Sequence, residues 1–310
     1  MMKLFDLHCD TVSECMSEKL DLDNSKTQLN LSALEQLESW VQVMALFIPD
    51  ELRNQQAVMY YDRLMSYTNL LLAKHNDKLY PVLKGKDLYN IPNGCCGVIK
   101  AIEGGAALAG EIHRINFVYN QGVRLITLTW NGENELGSGA LCSPDKGLSE
   151  FGKQAVAEME KVGILVDASH LSRRSFWDLC ETASKPFLCT HSNSDAVCSH
   201  NRNLTDEQFK EVVRRKGLIG INLYKDFLSK RSDGGTVDDV IKHIYHFLER
   251  DGEDTIAIGS DFDGADIHQS LNSPIKLAII AQTMLKLNFN QEVIDKIMYK
   301  NAFNFFADNI

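Results

Sequence analysis

The chain lacks any apolar run approaching the roughly 20 residues that a membrane-spanning helix needs. It also lacks an excess of positive charge. Its formal net charge is −10, which argues against non-specific binding to nucleic acid or to an anionic membrane surface. The eight cysteines (Cys9, Cys15, Cys95, Cys96, Cys142, Cys180, Cys189 and Cys198) show no paired metal-binding spacing, so free thiols acting as small apolar residues are expected. The first residues have no signal-peptide core, because Asp6, His8 and Asp10 interrupt the apolar positions. A cytoplasmic location is therefore expected. No linker, charge block or low-complexity stretch divides the chain, which reads as a single domain over residues 1–310.

What is present is an ordinary globular composition, 44% hydrophobic and 24% charged, at a length compatible with one large α/β barrel or two smaller domains. Short apolar, partly β-branched runs at 4–10, 40–48, 97–102, 123–129, 164–167, 186–190, 218–221 and 255–259 read as strands. Helical spacing at 31–37, 55–73, 111–120, 149–162, 172–182, 205–215 and 236–250 separates most of them, and two helices finish the chain from about Pro274 and Gln291. Residues 13–30 and 131–146 read as loops. This alternation predicts a (β/α)₈ TIM barrel. A doubly wound open sheet would alternate equally well, but no Gly-x-Gly-x-x-Gly follows a strand.

Barrel enzymes place their chemistry at the C-terminal ends of the strands. Of nine histidines, His8, His170 and His191 fall at strand exits, as do Asp10, Glu103 and Asp261. In a continuous first strand, Asp6, His8 and Asp10 would share one face. Three imidazoles and three carboxylates meeting at one mouth are costly to bury without partners. They suit zinc, with manganese or iron also compatible. His8 and Asp10 can hold one ion and His170 and His191 a second, with Glu103 bridging. Two ions about 3.5–4 Å apart can hold and ionise a shared water. Asp261 remains as the general base and acid.

The segments Asp6-x-His8-x-Asp10, Ile102-Glu103-Gly104-Gly105, Asp167-x-Ser169-His170-x-Ser172, Thr190-His191-Ser192, Cys198-x-x-x-Arg202-Asn203 and Gly259-Ser260-Asp261-Phe262-Asp263-Gly264 occur in this order. Together they resemble the membrane dipeptidase (renal dipeptidase) family, peptidase family M19 of the amidohydrolase superfamily. The resemblance implies a metal-dependent barrel hydrolase of dipeptides, often tolerant of a D-residue at the C-terminal position. It implies His8, Asp10, Glu103, His170 and His191 as ligands of two Zn²⁺ ions, Asp261 as catalytic acid/base and Arg202 as a contact for the substrate carboxylate. The fork geometry of an arginine matches a carboxylate in two hydrogen bonds. The resemblance also suggests a homodimer. Tyr224, after the seventh strand, either lines the pocket or packs in the core.

One departure stands out. Where the family has a histidine that contacts the substrate carbonyl, this chain has Trp130, followed by Asn131. Trp130 is expected to wall the pocket, and Asn131 is a candidate donor to the oxyanion. The competing readings are a related hydrolase of lactones or N-acyl amino acids, and a non-catalytic scaffold. The full ligand set argues against the scaffold.

Overall fold

The computed structural model describes residues 2–310. Its strands are β1 (Met2–Asp6), β2 (Leu37–Phe47), β3 (Leu79–Pro81), β4 (Cys96–Glu103), β5 (Val123–Thr127), β6 (Leu165–Asp167), β7 (Leu188–Cys189), β8 (Leu218–Ile221) and β9 (Ile256–Ile258). All pairings between them are parallel. The order β2-β1-β9-β8-β7-β6-β5-β4 closes on itself through an eight-rung register between β2 and β4, from Trp40 opposite Cys96 to Phe47 opposite Glu103. Eight strands thus form a (β/α)₈ barrel. The short β3 lies outside the ring, against the first half of β4.

Alternation along each strand sorts the apolar side chains into two layers. Phe5, Val41, Val43, Ile99, Ala101, Leu125, Leu165, Leu188, Leu218 and Ala257 form one buried cluster, which fills the barrel. Their strand neighbours Ile102, Ile126, Val166, Ile219 and Ile258 belong to the layer beneath the helices. The helices begin where sequence supplies a cap. Ser149 opens α4 (Glu150–Val162) by accepting from the Gly152 amide, Ser172 does the same for α5 (Arg173–Thr182) from Ser175, and Thr205 with Gln208 builds a capping box on α6 (Asp206–Arg214).

The C-terminal segment seals the lower end of the barrel. It runs through a 3₁₀ turn into α9 (Ala278–Lys286). It then continues through α10 (Gln291–Asp295) and a π-helical stretch (Lys296–Lys300) into α11 (Asn301–Asn309). Phe306 lies 5.1 Å, centroid to centroid, from Phe5 inside the barrel. The Gly85 amide donates to the carbonyl of Ile310.

Three local readings need correction. The first strand ends at Asp6, not at residue 10. Leu7 packs in the barrel interior but Cys9 packs in the outer layer, so the alternation slips there. Asp6 consequently does not share the face of His8 and Asp10. Residues 11–18, assigned mostly to a loop, form α1 (Thr11–Glu18), whose polar sequence hides a short buried stripe of Thr11, Val12 and Cys15. Tertiary packing rather than propensity holds such a helix. The strand β3 and the four-residue α7 (Lys225–Leu228) were too short to carry a periodic signal.

If Phe306 closes the barrel, Phe306→Ala should cost about 3–5 kcal/mol, as expected for deleting a fully buried aromatic ring. Urea denaturation measures it. An unchanged midpoint would show that α11 is only an appendage.

Candidate metal centre and active site

The two oxygens of Glu103, at the end of β4, face two different sets of groups. Oε1 lies 2.9 Å from His170 Nε2 and 3.7 Å from His191 Nε2, while Oε2 lies 3.4 Å from His8 Nε2. His8 Nε2 in turn stands 3.4 Å from Asp10 Oδ2 and 3.9 Å from Asp261 Oδ1. Five of the six are buried, and Asp261 is half-buried at the edge of the group. The structure therefore brings together the five expected ligands and Asp261.

The hydrogen bonds around the histidines decide which nitrogens are bare. Thr190 donates its hydroxyl to Asp167 Oδ2 at 2.6 Å, so toward His191 Nδ1, at 2.8 Å, it can only accept. His191 Nδ1 carries the ring proton. His170 Nδ1 lies 3.0 Å from the amide oxygen of Asn131, so it too is the protonated nitrogen. Both Nε2 atoms then present lone pairs, 2.7 Å apart, toward Glu103 Oε1. Two lone pairs repel unless a cation lies between them. His8 Nε2 and Asp10 Oδ1 are buried with no hydrogen-bond partner among the described residues. Bare imidazole nitrogens and unpartnered carboxylate oxygens fit divalent metal ions. The space beside them is kept open by a glycine. A Cβ on Gly264 would overlap Asp10 Oδ2 and reach within 2.7 Å of Asp261 Oδ1.

Burial sets the charges. It pushes Glu103 up to about 8, with the Asp10 charge adding to the effect. It opposes a charge on His8 too, but the Glu103 and Asp10 carboxylates outweigh it and hold that imidazole well above its usual range, so a metal ion bound at Nε2 would displace its proton. Burial keeps His170 and His191 well below theirs, in the neutral form a ligand requires. Asp261 is raised by burial as well. Asn222 Nδ2 donates to its Oδ2 at 2.9 Å, leaving Oδ1 toward His8. Asp261 and His170 both hold left-handed backbone, at φ 66° and 67°. Such strain in non-glycine residues clusters at functional sites.

These groups open onto a cavity of about 580 Å³, whose walls include Asp10, Glu103, His170, Asp261, Trp130, Asn131 and Tyr224. Trp130 packs edge-on against Phe47, centroids 5.0 Å apart. Tyr224 donates its hydroxyl to Asp226 at 3.0 Å. Arg202 is placed differently. It is buried behind Phe227, 5.5 Å from the ring centroid, and is absent from the cavity wall. One guanidinium nitrogen donates to the His191 carbonyl at 3.3 Å, and Nε has no partner among the described residues. Burial lowers its pKa to about 10. A larger cavity of about 730 Å³, near Met2, Leu37 and the C-terminal helices, contains none of the ligand groups.

The sequence pattern of membrane dipeptidase, peptidase family M19, matches residues 1–308. The chain belongs to this family. It is accordingly a metallo-dipeptidase by class, with a divalent metal implied. Among its relatives is an uncharacterized protein encoded in the pqqA 5′ region of Klebsiella pneumoniae, 33% identical over 66% of this chain and 79% of that one. An uncharacterized dipeptidase of Schizosaccharomyces pombe is 32% identical over 64% of this chain, and dipeptidase tcpJ of Claviceps purpurea 29% over 75%. The matched segments span 49% and 56% of those two fungal proteins. The fold is shared with a Rhodobacter sphaeroides metallopeptidase solved with a phosphinate mimic of L-Ala-D-Ala. The TM-score is 0.92 at 22% identity over 99% of each chain. A dipeptidase of family M19 aligns at TM-score 0.92 and 24% identity, over 99% of this chain and 98% of that one.

In this M19 chain, sequence reasoning missed the groups that hold the ligands. Asp167 accepts four hydrogen bonds, from the Thr127 and Thr190 hydroxyls and the Ser169 and Thr190 amides. Asp6 takes the amide and hydroxyl of Ser260 and so fixes the turn before Asp261. Both stand inside the motif segments quoted above, but nothing in the spacing says which carboxylate faces a metal and which faces backbone. Thr190→Val would remove the acceptor of the His191 Nδ1 proton. Loss of such a partner typically weakens metal binding 10–100-fold, readable by competition with a chromogenic chelator. Wild-type affinity in the variant would show that Thr190 does not set the His191 tautomer.

Proposed function

We propose that this chain hydrolyses dipeptides, including those with a C-terminal D-residue, at a centre of two zinc ions bridged by Glu103. The observation that carries this reading is the two-sided placement of Glu103, with His170 and His191 on one oxygen and His8 with Asp10 on the other. Ions held there would polarise the scissile carbonyl and make an attacking water acidic. A C-terminal D-residue is supported by the L-Ala-D-Ala mimic bound by the Rhodobacter sphaeroides protein.

The protein's own groups divide the remaining work. Asp261 Oδ1 takes the proton of the attacking water and returns it to the leaving amine; burial raises its pKa toward that use. Arg202, with an unpartnered Nε, receives the substrate carboxylate once Phe227 yields. Asn131 orients His170 through its amide oxygen, and its Nδ2 remains the candidate donor to the oxyanion. Trp130 and Tyr224 bound the pocket. A volume of about 580 Å³ suits a small molecule better than a longer peptide. A reducing, cytoplasmic setting is supported by eight free cysteines.

Asp261→Asn should lose about 10²–10⁴-fold in kcat with both metals retained, the usual contribution of a general acid–base group. Elemental analysis alongside kinetics separates the roles: a metal-depleted variant would make Asp261 a ligand. Zinc-loaded wild-type protein should cleave L,L- and L,D-dipeptides in preference to lactones and N-acyl amino acids. The reverse ranking would overturn the dipeptidase reading.

A further inference from the structure

One part of the cavity wall is unused by the metal centre. It comprises Glu14 of α1, with Phe47 at the end of β2, Tyr60 of α2 (Asn54–Lys74) and Trp130 after β5. The Glu14 amide donates to the Asp10 carbonyl, so Glu14 sits one helical turn beyond the metal ligand. Side chains so spaced have Cβ atoms roughly 5–6 Å apart. The Phe47 amide donates to the hydroxyl of Ser13, beside Glu14, which joins α1 to the Phe47–Trp130 pair.

The other carboxylates on the wall are engaged. Asp10, Glu103 and Asp261 belong to the metal centre. Asp263 accepts from the Thr11 hydroxyl and the Gln28 amide, and Asp266 pairs with Lys225. Glu14 has no side-chain hydrogen bond or ion pair among the described residues. Partial burial raises its pKa, and the charged groups that bear on it, Glu18 and Asp263, are both acids that add to the effect. No lysine or arginine lies on the cavity wall to neutralise it. A carboxylate and three aromatic rings lining one cavity offer a cation both a counter-charge and π-faces, with apolar surface for an alkyl stem.

We propose that Glu14, Phe47, Tyr60 and Trp130 form a subsite for a lysine or arginine side chain on the N-terminal residue of the dipeptide. The inference rests on the dipeptidase reading and adds a substrate class to it. The end of the substrate follows from the ring of strands. Arg202 stands in the segment after β7, which lies across the barrel from β2 in the strand order. With the C-terminal carboxylate drawn toward Arg202, the N-terminal residue points to Phe47 and Glu14.

The test compares kcat/KM of zinc-loaded enzyme for L-Lys-L-Ala, L-Arg-L-Ala, L-Ala-L-Ala, L-Glu-L-Ala and L-Ala-L-Lys. The wild type should prefer the first two. Glu14→Gln should lower the ratio of L-Lys-L-Ala to L-Ala-L-Ala roughly fivefold, the worth of one partly exposed ion pair. Glu14→Lys should invert the ranking in favour of L-Glu-L-Ala, and thermal melts of both variants check folding. An unchanged ratio in Glu14→Gln overturns the subsite. An equal loss on every dipeptide also overturns it, since Glu14 would then read a group common to them all, such as the α-ammonium. A wild type that cleaves dipeptides without preferring basic ones refutes the subsite alone. A wild type that cleaves none refutes the dipeptidase reading, and the subsite falls with it.

Discussion

The site depends on one buried carboxylate serving two sides. Glu103 ends β4 with His170 and His191 against one oxygen and His8 against the other. Such a group is expensive to bury, and burial together with the Asp10 charge pushes its pKa up to about 8. Its position makes physical sense once cations are placed beside each oxygen. The bare Nε2 atoms of His170 and His191, and the unpartnered Nε2 of His8, make the same demand.

The barrel supplies this arrangement through its hydrogen bonds rather than through its apolar core. Asp167 links three consecutive strands, taking Thr127 at the end of β5 on one side and Thr190 after β7 on the other. Through Thr190 it reaches the imidazole of His191. Asp6 plays a comparable part across the seam of β1 and β9, where it grips the Ser260 turn that carries Asp261. Buried carboxylates with all acceptors filled are rigid struts. Below them the apolar interior, stopped by Phe306, keeps the strands in register and water out.

Much of this was legible in the sequence because strand exits coincide with chemistry-bearing residues. The alternation of buried runs with helical spacing gave the barrel, and the six candidate site residues that the structure brings together fall at the ends of those runs. The failures have local causes. His8 and Asp10 reach the mouth after the strand has ended and its alternation has slipped, not by riding one face of it. The helix α1 looks like a loop because only three of its residues are buried. Gly264 stands in the last of the quoted segments, but no spacing shows that its part is to leave room beside Asp10 and Asp261. Arg202, the expected contact for the substrate carboxylate, lies behind Phe227, a neighbour that spacing cannot reveal.

The central claim is that Glu103 separates two metal positions, and the count and place of bound ions test it most directly. Anomalous diffraction from crystals of the zinc-loaded protein should show two peaks. One should lie among Glu103 Oε1, His170 and His191, the other among Glu103 Oε2, His8 and Asp10. A single peak on one side of Glu103, or ions bound away from it, would contradict the account.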